Sequence, residues 1–163
     1  MKTFVVYDSA FGNTEKVAQA VAVSLKDARI ARISAVKPED LVGVGLLIVG
    51  SPTQCGRPTP SMQAFLNGLP EETVGGMRAA TFDTRFDPAD QSFGLRLLMR
   101  TIGFAASKMS STLKGKGMIQ AGEPTGFFVE EKEGPLRPSE LERARSWAKR
   151  LESVFADPGD GDA

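Results

Sequence analysis

The chain of 163 residues is long enough for one domain with a sizeable core and too short for two ordinary domains. Its 41% hydrophobic and 25% charged residues are typical of a globular domain. Twenty basic side chains balance twenty acidic ones, which gives no support to nucleic-acid binding. The lack of histidine excludes Ser-His-Asp triads and histidine-ligated zinc, and a single cysteine excludes a disulfide framework. We therefore expect the protein to borrow its chemistry from a cofactor or only to bind a partner.

The sequence shows no targeting signal that we can identify. The apolar run in residues 1–8 is too short for a signal peptide, and no apolar stretch approaches the ~20 residues of a membrane span. We therefore predict a cytoplasmic protein without a transmembrane segment.

Short apolar runs alternate with helical patterns along the chain. The predicted strands are residues 3–7, 30–36, 45–50 and 78–82, with a last strand split into 117–121 and 127–130. The predicted helices are residues 14–28, 61–69, 92–114 with an interruption at Gly103, and a final helix from 139 to about 156. These elements form one domain over residues 1–156. The acidic, glycine-rich tail 157–163 is expected to be disordered.

Strands that alternate with helices predict a parallel sheet covered on both faces, which is a three-layer, doubly wound α/β fold. One strand order open to five such strands is 2-1-3-4-5, whose ligand crevice opens between the first and third strands. In that order the loops after Tyr7, Gly50 and Phe82 are neighbours. These loops are also the most chemically unusual segments of the chain, so we expect the site there.

The loop at residues 9–14 has the composition of a phosphate-binding segment. A helix begins there, and its first turn carries unpaired N–H groups and a partial positive charge. Ser9, Asn13 and Thr14 add side-chain donors, and Gly12 lets the backbone approach a ligand closely. The Gly-x-x-x-x-Gly-Lys-Ser/Thr and Gly-x-Gly-x-x-Gly patterns are both absent. The alternative is that Thr14 only caps the helix and Gly12 only makes a turn.

Residues 7–18, Tyr-Asp-Ser-Ala-Phe-Gly-Asn-Thr-Glu-Lys-Val-Ala, resemble the FMN phosphate-binding segment of the flavodoxin family. Ser9, Gly12 and Thr14 match the family pattern Thr/Ser-x-Thr-Gly-x-Thr, although Phe11 stands where the pattern has a hydroxyl residue. Two further segments are similar to the family's second and third flavin loops, and nearly the whole chain follows the family in order. They are Gly-Ser-Pro-Thr at 50–53 and Phe-Asp-Thr-Arg at 82–85.

The resemblance implies a flavodoxin-like, FMN-binding electron-transfer protein that exchanges electrons with redox partner proteins. The residues it implies at the phosphate are Ser9, Phe11, Gly12, Asn13 and Thr14. Those it implies along the isoalloxazine ring are Pro52, Thr53, Gln54, Cys55 and Gly56, with Asp83, Thr84 and Arg85 near the pyrimidine edge. The flavin would supply the redox chemistry, so no side chain is assigned a catalytic role.

The second flavin loop departs from the family. Flavodoxins usually stack Trp or Tyr on the flavin, but residues 51–60 contain no aromatic side chain. One alternative is therefore a flavodoxin-like interaction module with weak or lost FMN binding. Another is an FMN-dependent NAD(P)H:quinone-type oxidoreductase, because residues 52–56 and 62–66 look like segments of tryptophan-repressor-binding-type quinone reductases. The third loop lacks the Gly/Ser-rich segment of those enzymes, and an NADPH oxidation assay separates the two classes.

Three side chains in these loops have two interpretations each. Arg85 either lies at the flavin rim, which we favour, or pairs with Asp83 or Asp87. Arg57 is either a rim residue or solvated, and its sequence position favours neither. Cys55 is either a thiol beside the flavin or, as we favour, a small apolar filler.

Residues 91–122 contain five basic residues, no acidic one and many apolar ones. One interpretation is that the segment from Phe93 to Lys116 contacts a partner protein, a second subunit or an anionic membrane. The other, which we favour, is a core helix with a solvated basic face.

Overall fold

The structure is a computed structural model that describes residues 1–155. The strands are β1 Thr3–Tyr7, β2 Ala28–Arg32, β3 Leu46–Pro52, β4 Arg78–Phe86, β5 Ile119–Gln120 and β6 Thr125–Val129. The α-helices are α1 Asn13–Ala22, α2 Pro60–Asn67, α3 Glu71–Val74, α4 Phe93–Ile102, α5 Ala105–Gly115 and α6 Glu140–Phe155. Three short 3-10 helices lie at Ile33–Ala35, Pro38–Leu41 and Pro88–Asp90. The predicted tail at 157–163 lies outside the described residues.

The six strands form one parallel sheet in the order β2-β1-β3-β4-β5, and β6 also pairs with β4. The predicted order 2-1-3-4-5 is therefore confirmed. The predicted split of the last strand is confirmed as well, because β5 pairs with the start of β4 and β6 pairs with its end.

Helices cover both faces of the sheet, which confirms the three layers. Alternate residues of β1 point to opposite faces, as the pleat requires. Val5 packs in one core cluster with α1 and α6, whereas Val6 packs in a second cluster with α2 and α5. Trp147 of α6 lies in the first cluster, where its ring meets Phe82 edge-on with centroids 5.9 Å apart. The only tryptophan is thus a core residue and does not belong to the loops at the carboxyl ends of the strands.

The second strand, predicted over 30–36, is shorter at its end, because β2 stops at Arg32 and a 3-10 helix follows at Ile33–Ala35. Two further boundaries differ from the prediction because strand pairing decides them. α1 ends at Ala22, well before residue 28, since Ala28 already pairs with Thr3 as the first residue of β2. β4 continues beyond Phe82 to Phe86, because β6 pairs with this extension over its whole length. Residues 83–85 therefore belong to a strand, with side chains that alternate between the two faces, and do not form a loop.

The segment 92–114 divides at Gly103, as predicted, and its two halves have different environments. Gly103 has φ 82° and separates α4 from α5. Met109 and Leu113 of α5 are buried in the core beneath the sheet. None of the ten residues of α4, all within the described part of the chain, is buried. The favoured interpretation as a core helix is correct for α5 and wrong for α4.

Candidate functional site

A cavity of about 720 Å³ opens at the carboxyl ends of the central strands. Its walls come from the start of α1, the turn after β3, the end of β4, the helix α4 and the segment after β6. The strand order reverses beside β1, and ligands of doubly wound sheets bind at such switch points. The cavity therefore lies where the fold class predicts a ligand.

The structure brings ten of the thirteen predicted site residues to this cavity. They are Phe11, Asn13, Thr14, Pro52, Thr53, Gln54, Cys55, Gly56, Thr84 and Arg85. Within residues 1–155, the remaining three, Ser9, Gly12 and Asp83, are not among the residues that line it. Ser9 and Gly12 instead shape the turn before α1, where the Gly12 N–H donates to Ser9 Oγ at 3.0 Å.

The first turn of α1 presents backbone donors to the cavity. Gly12 precedes the helix with φ 89°, a left-handed conformation that glycine adopts without strain. The first backbone bond of the helix runs from the Lys16 N–H to the Gly12 carbonyl at 3.1 Å. The N–H groups of Asn13, Thr14 and Glu15 precede this bond, so they have no partner within the helix. Together with the helix dipole they form an anion-binding group.

Two hydroxyl groups lie beside these N–H groups. Thr14 Oγ1 and Thr84 Oγ1 are 2.8 Å apart, and both residues line the cavity. Each hydroxyl has one proton, and the bond between them uses only one of the two. The other proton is available to an acceptor in the cavity.

Asn13 also fixes the far wall of the cavity. Its side-chain Nδ2 donates to the carbonyl of Glu133 at 3.1 Å, across 120 positions of sequence. One amide proton of Asn13 thus joins the start of α1 to the segment after β6. The sequence alone gave no indication of this bond.

A tight two-residue turn follows β3. The Gln54 N–H donates to the Arg57 carbonyl at 2.8 Å, and the Arg57 N–H donates to the Gln54 carbonyl at 3.0 Å. Cys55 and Gly56 between them have φ 49° and 76°, the pair of positive values that a type I′ turn requires. Cys55 is exposed, so its interpretation as an apolar filler is wrong. Arg57 is exposed and does not line this cavity.

The helix α4 packs directly against this turn. A Cβ atom at Gly56 would lie 2.1 Å from Ile102 Cγ2 and 3.1 Å from the Gly103 carbonyl. Only glycine leaves room for this contact, so residue 56 must be glycine on steric as well as conformational grounds. The turn and α4 therefore form one wall of the cavity.

Asp83 and Arg85 form a buried ion pair at the end of β4. The guanidinium contacts both carboxylate oxygens, with Nε at 2.5 Å from Oδ1 and Nη2 at 2.9 Å from Oδ2. Asp83 is fully buried, and the side chain of Arg85 is 14% exposed. The alternative that Arg85 pairs with Asp83 is confirmed, and Arg85 lines the cavity as well.

Asp83 points away from the cavity toward α5, which corrects its predicted position. Its Oδ2 accepts the Ala106 N–H at 2.8 Å, and the Ala105 N–H donates to Thr53 Oγ1 at 3.0 Å. A carboxylate at a helix N-terminus is stabilised by the helix dipole. Burial nevertheless raises the pKa of Asp83 above its ordinary value of 3.8, because desolvation outweighs the stabilisation by Arg85 and the Ala106 N–H. Asp83 thus positions Arg85 and α5, although its own side chain does not line the cavity.

Sequence reasoning missed the contribution of α4. Leu95, Leu98, Met99 and Ile102 line the cavity at the spacing i, i+3, i+4, i+7 of one helix face. This periodicity alone predicts a helix face buried in the core, and the structure shows that the face borders the cavity. The other lining residues that the prediction omitted are Ala10, Phe86, Gln91, Gly103, Phe104, Val129 and Lys132.

Three phenylalanines line the cavity, although the second flavin loop contains no aromatic residue. Phe11 lies before α1, Phe86 ends β4 and Phe104 lies between α4 and α5. The Arg85 guanidinium stacks on Phe104, with Cζ 3.8 Å from the ring centroid. The ion pair with Asp83 and this stacking hold Arg85 from two sides.

The sequence model of the family described as Flavodoxin matches residues 5–96, more than half of the chain. The chain belongs to the flavodoxin family. The matched residues contain α1, the turn after β3 and the whole of β4. They therefore include all thirteen of the predicted site residues. No curated protein matches the sequence.

Solved structures of flavodoxins share the fold over almost the whole chain. A flavodoxin from the domain Archaea is 19% identical with a TM-score of 0.76, and the match covers 96% of this chain and 100% of that one. Flavodoxin 2 from Bacillus cereus is 20% identical with a TM-score of 0.70, over 95% of this chain and 100% of that one. At these identities the likeness shows the fold alone.

A third similar structure belongs to a larger protein. The flavodiiron protein from Giardia intestinalis is 19% identical with a TM-score of 0.66, over 93% of this chain but only 36% of that one. This flavodoxin fold therefore occurs both alone and as part of a longer chain. Within residues 1–155, no helix combines the length and the apolar character needed to cross a membrane.

Proposed function

We propose that this flavodoxin-family protein binds FMN in the cavity and exchanges electrons with redox partner proteins. The observation that supports this best is that the N–H groups at the start of α1 and the apolar residues of α4 border one cavity. A ligand that fits both has a phosphate at one end and a flat apolar ring at the other. The volume of about 720 Å³ lies in the range of cofactor sites.

The phosphate would lie at the first turn of α1. The Asn13 and Thr14 N–H groups supply charge-assisted donors there, and the Thr14–Thr84 hydroxyl pair adds one more proton. These groups need no lysine or arginine, although Lys132 also lines the cavity. Because Phe11 lacks the hydroxyl of the family pattern, the phosphate site has one side-chain donor fewer and keeps the other donors.

The ring would lie between the turn at 54–57 and the end of β4, with α4 along one side. Leu98 and Ile102 supply an apolar surface for the ring there, and the I′ turn, which packs against Ile102 at Gly56, adds peptide groups. Arg85, immobilised by Asp83 and Phe104, supplies a fixed positive charge. When bound, FMN supplies one- and two-electron transfer, and these residues set its orientation and its electrostatic environment.

The proposal is tested by comparing FMN with riboflavin, which lacks the phosphate. The apoprotein is titrated with each ligand, and the same titrations are made on Thr14→Val. We expect FMN to bind at least tenfold more tightly than riboflavin, since a hydrogen bond to a charged group contributes about 1.5–3 kcal/mol. Thr14→Val should weaken FMN binding and leave riboflavin binding nearly unchanged.

Thr112→Val is the matched control, because the Thr112 hydroxyl bonds to the Lys108 carbonyl within α5. It should bind both ligands as the unmodified protein does. Equal affinity for FMN and riboflavin would contradict the phosphate site. Failure to bind either ligand would refute the proposed function and leave an interaction module as the remaining interpretation.

A further inference from the structure

The helix α4 has two apolar faces, and only one of them borders the cavity. Leu95, Leu98, Met99 and Ile102 form the cavity side. Phe93 and Leu97, one turn apart, are 80% and 56% exposed. Side chains of this size are seldom left so accessible next to one another, and adjacent exposed apolar residues often mark an interaction surface.

The exposed face of α4 is positively charged. Arg96 and Arg100 lie on the helix, and residues 93–102 contain no acidic residue. Arg96 donates to the carbonyls of Pro88 and Ala89, which holds its charge at the start of α4. Among residues 1–155, no carboxylate forms an ion pair with Arg100.

The nearest carboxylates along the chain form their ion pairs with an arginine outside α4. Asp87 and Asp90, in the segment before α4, both pair with Arg137, so two carboxylates share one guanidinium. The acidic residues at 130–133 follow β6, on a different wall of the cavity. The helix therefore presents two exposed apolar side chains beside two arginines that form no ion pair within residues 1–155.

We propose that this α4 face, defined by Phe93, Leu97, Arg96 and Arg100, binds an acidic electron-transfer protein. The partner would carry an apolar patch ringed by carboxylates, the complement of the α4 face. This inference rests on the proposed function, since the face lies one helix width, about 10 Å, from the cavity. A docked partner would thus be held beside the proposed flavin site.

Two other occupants fit the α4 face less well. A second copy of this chain, placed by a two-fold axis on the same face, would bring Arg96 and Arg100 against their own counterparts. An anionic membrane would match the charge, but Phe93 and Leu97 are the two apolar side chains on the outer face, because the other apolar side chains of α4 line the cavity. An acidic protein satisfies both the charge and the limited apolar area.

The test measures binding of a plant-type [2Fe–2S] ferredoxin, used as an acidic electron-carrier probe, by calorimetry at low and high salt. The full chain is used both as purified and after removal of flavin, so docking is measured independently of FMN binding. We expect saturable binding that weakens at least tenfold between 20 and 200 mM NaCl. Basic cytochrome c should not bind under the same conditions.

Two variants and one control localise the surface. Arg100→Glu and Leu97→Ser should each weaken ferredoxin binding about fivefold or more, since like charges and lost apolar area both oppose docking. Lys149→Glu makes the same change of charge on an exposed residue of α6 and should have a much smaller effect.

Several results would overturn the inference. Absence of ferredoxin binding at 20 mM NaCl is one, and equal loss in Arg100→Glu and Lys149→Glu is another. Binding to phosphatidylserine vesicles that is abolished by Leu97→Ser would assign the face to a membrane. Self-association lost in Leu97→Ser would assign it to a second copy. Each of these results is independent of whether FMN binds.

Discussion

The buried pair of Asp83 and Arg85 makes a strong prediction about stability. Asp83→Asn leaves the guanidinium buried without a counter-charge and places amide protons against its donors. Removing one partner of a buried pair costs about 3–5 kcal/mol. Asp83 is fully buried and also accepts the Ala106 N–H, so we expect a loss near the middle of this range.

Urea unfolding of the flavin-free protein, followed by circular dichroism, measures this loss without a contribution from ligand binding. Glu142→Gln is the control, because its ion pair with Arg145 is largely exposed and such pairs contribute little. The double variant Asp83→Leu, Arg85→Met should recover most of the stability, since neither charge is left buried alone.

The reasoning would be refuted if Asp83→Asn lost no more stability than Glu142→Gln. It would also be refuted if the double variant lost the sum of the losses measured for Asp83→Leu alone and Arg85→Met alone, because the residues would then act independently. A loss confined to FMN affinity, with unchanged stability, would place the carboxylate at the ligand and contradict its position behind the cavity lining.

Three further predictions concern other parts of the structure. Gly56→Ala should lower both the free energy of unfolding and the FMN affinity, because the new Cβ would lie 2.1 Å from Ile102 Cγ2 and φ at residue 56 is 76°. Adding Ile102→Ala should restore only part of the stability, measured by urea unfolding, and only part of the affinity, measured by FMN titration. The Ala89 N–H holds the pKa of Asp87 below its ordinary value of 3.8, so this carboxylate stabilises the fold above that pH and ceases to do so as the pH falls through its folded-state pKa. The free energy of unfolding of Asp87→Asn should therefore decrease less between pH 5 and pH 2 than that of the unmodified protein. An equal decrease in both proteins would contradict this. Trp147→Ala should cost about 3–5 kcal/mol in urea unfolding through the cavity it leaves beside Phe82, and a cost below 1 kcal/mol would contradict its place in the core.

The sequence predicted the elements whose signal is local. Residues 46–49 form an unbroken apolar run, which is typical of a strand covered on both faces, and β3 contains it. The glycine at 103 divides a helical pattern, and the chain turns there with positive φ. The segment around Gly12 was identified because a helix start, a glycine and hydroxyl residues coincide within six positions.

What the sequence could not supply depends on contacts between distant segments. The length of β4 follows from pairing with β6, some forty residues later, so the predicted loop at Asp83 is a strand. The bond from Asn13 to Glu133 has no local signature. The apolar periodicity of α4 is the same whether the helix covers a core or a cavity, and only the tertiary arrangement distinguishes the two.

The central claim is that the cavity holds FMN, and the most direct measurement is a visible spectrum of the protein with an FMN titration of its apo form. We predict absorption bands at about 370 and 450 nm and uptake of one FMN per chain, with an NADPH oxidation assay then separating an electron carrier from a reductase. A colourless protein whose spectrum and stability do not respond to added FMN would contradict the account.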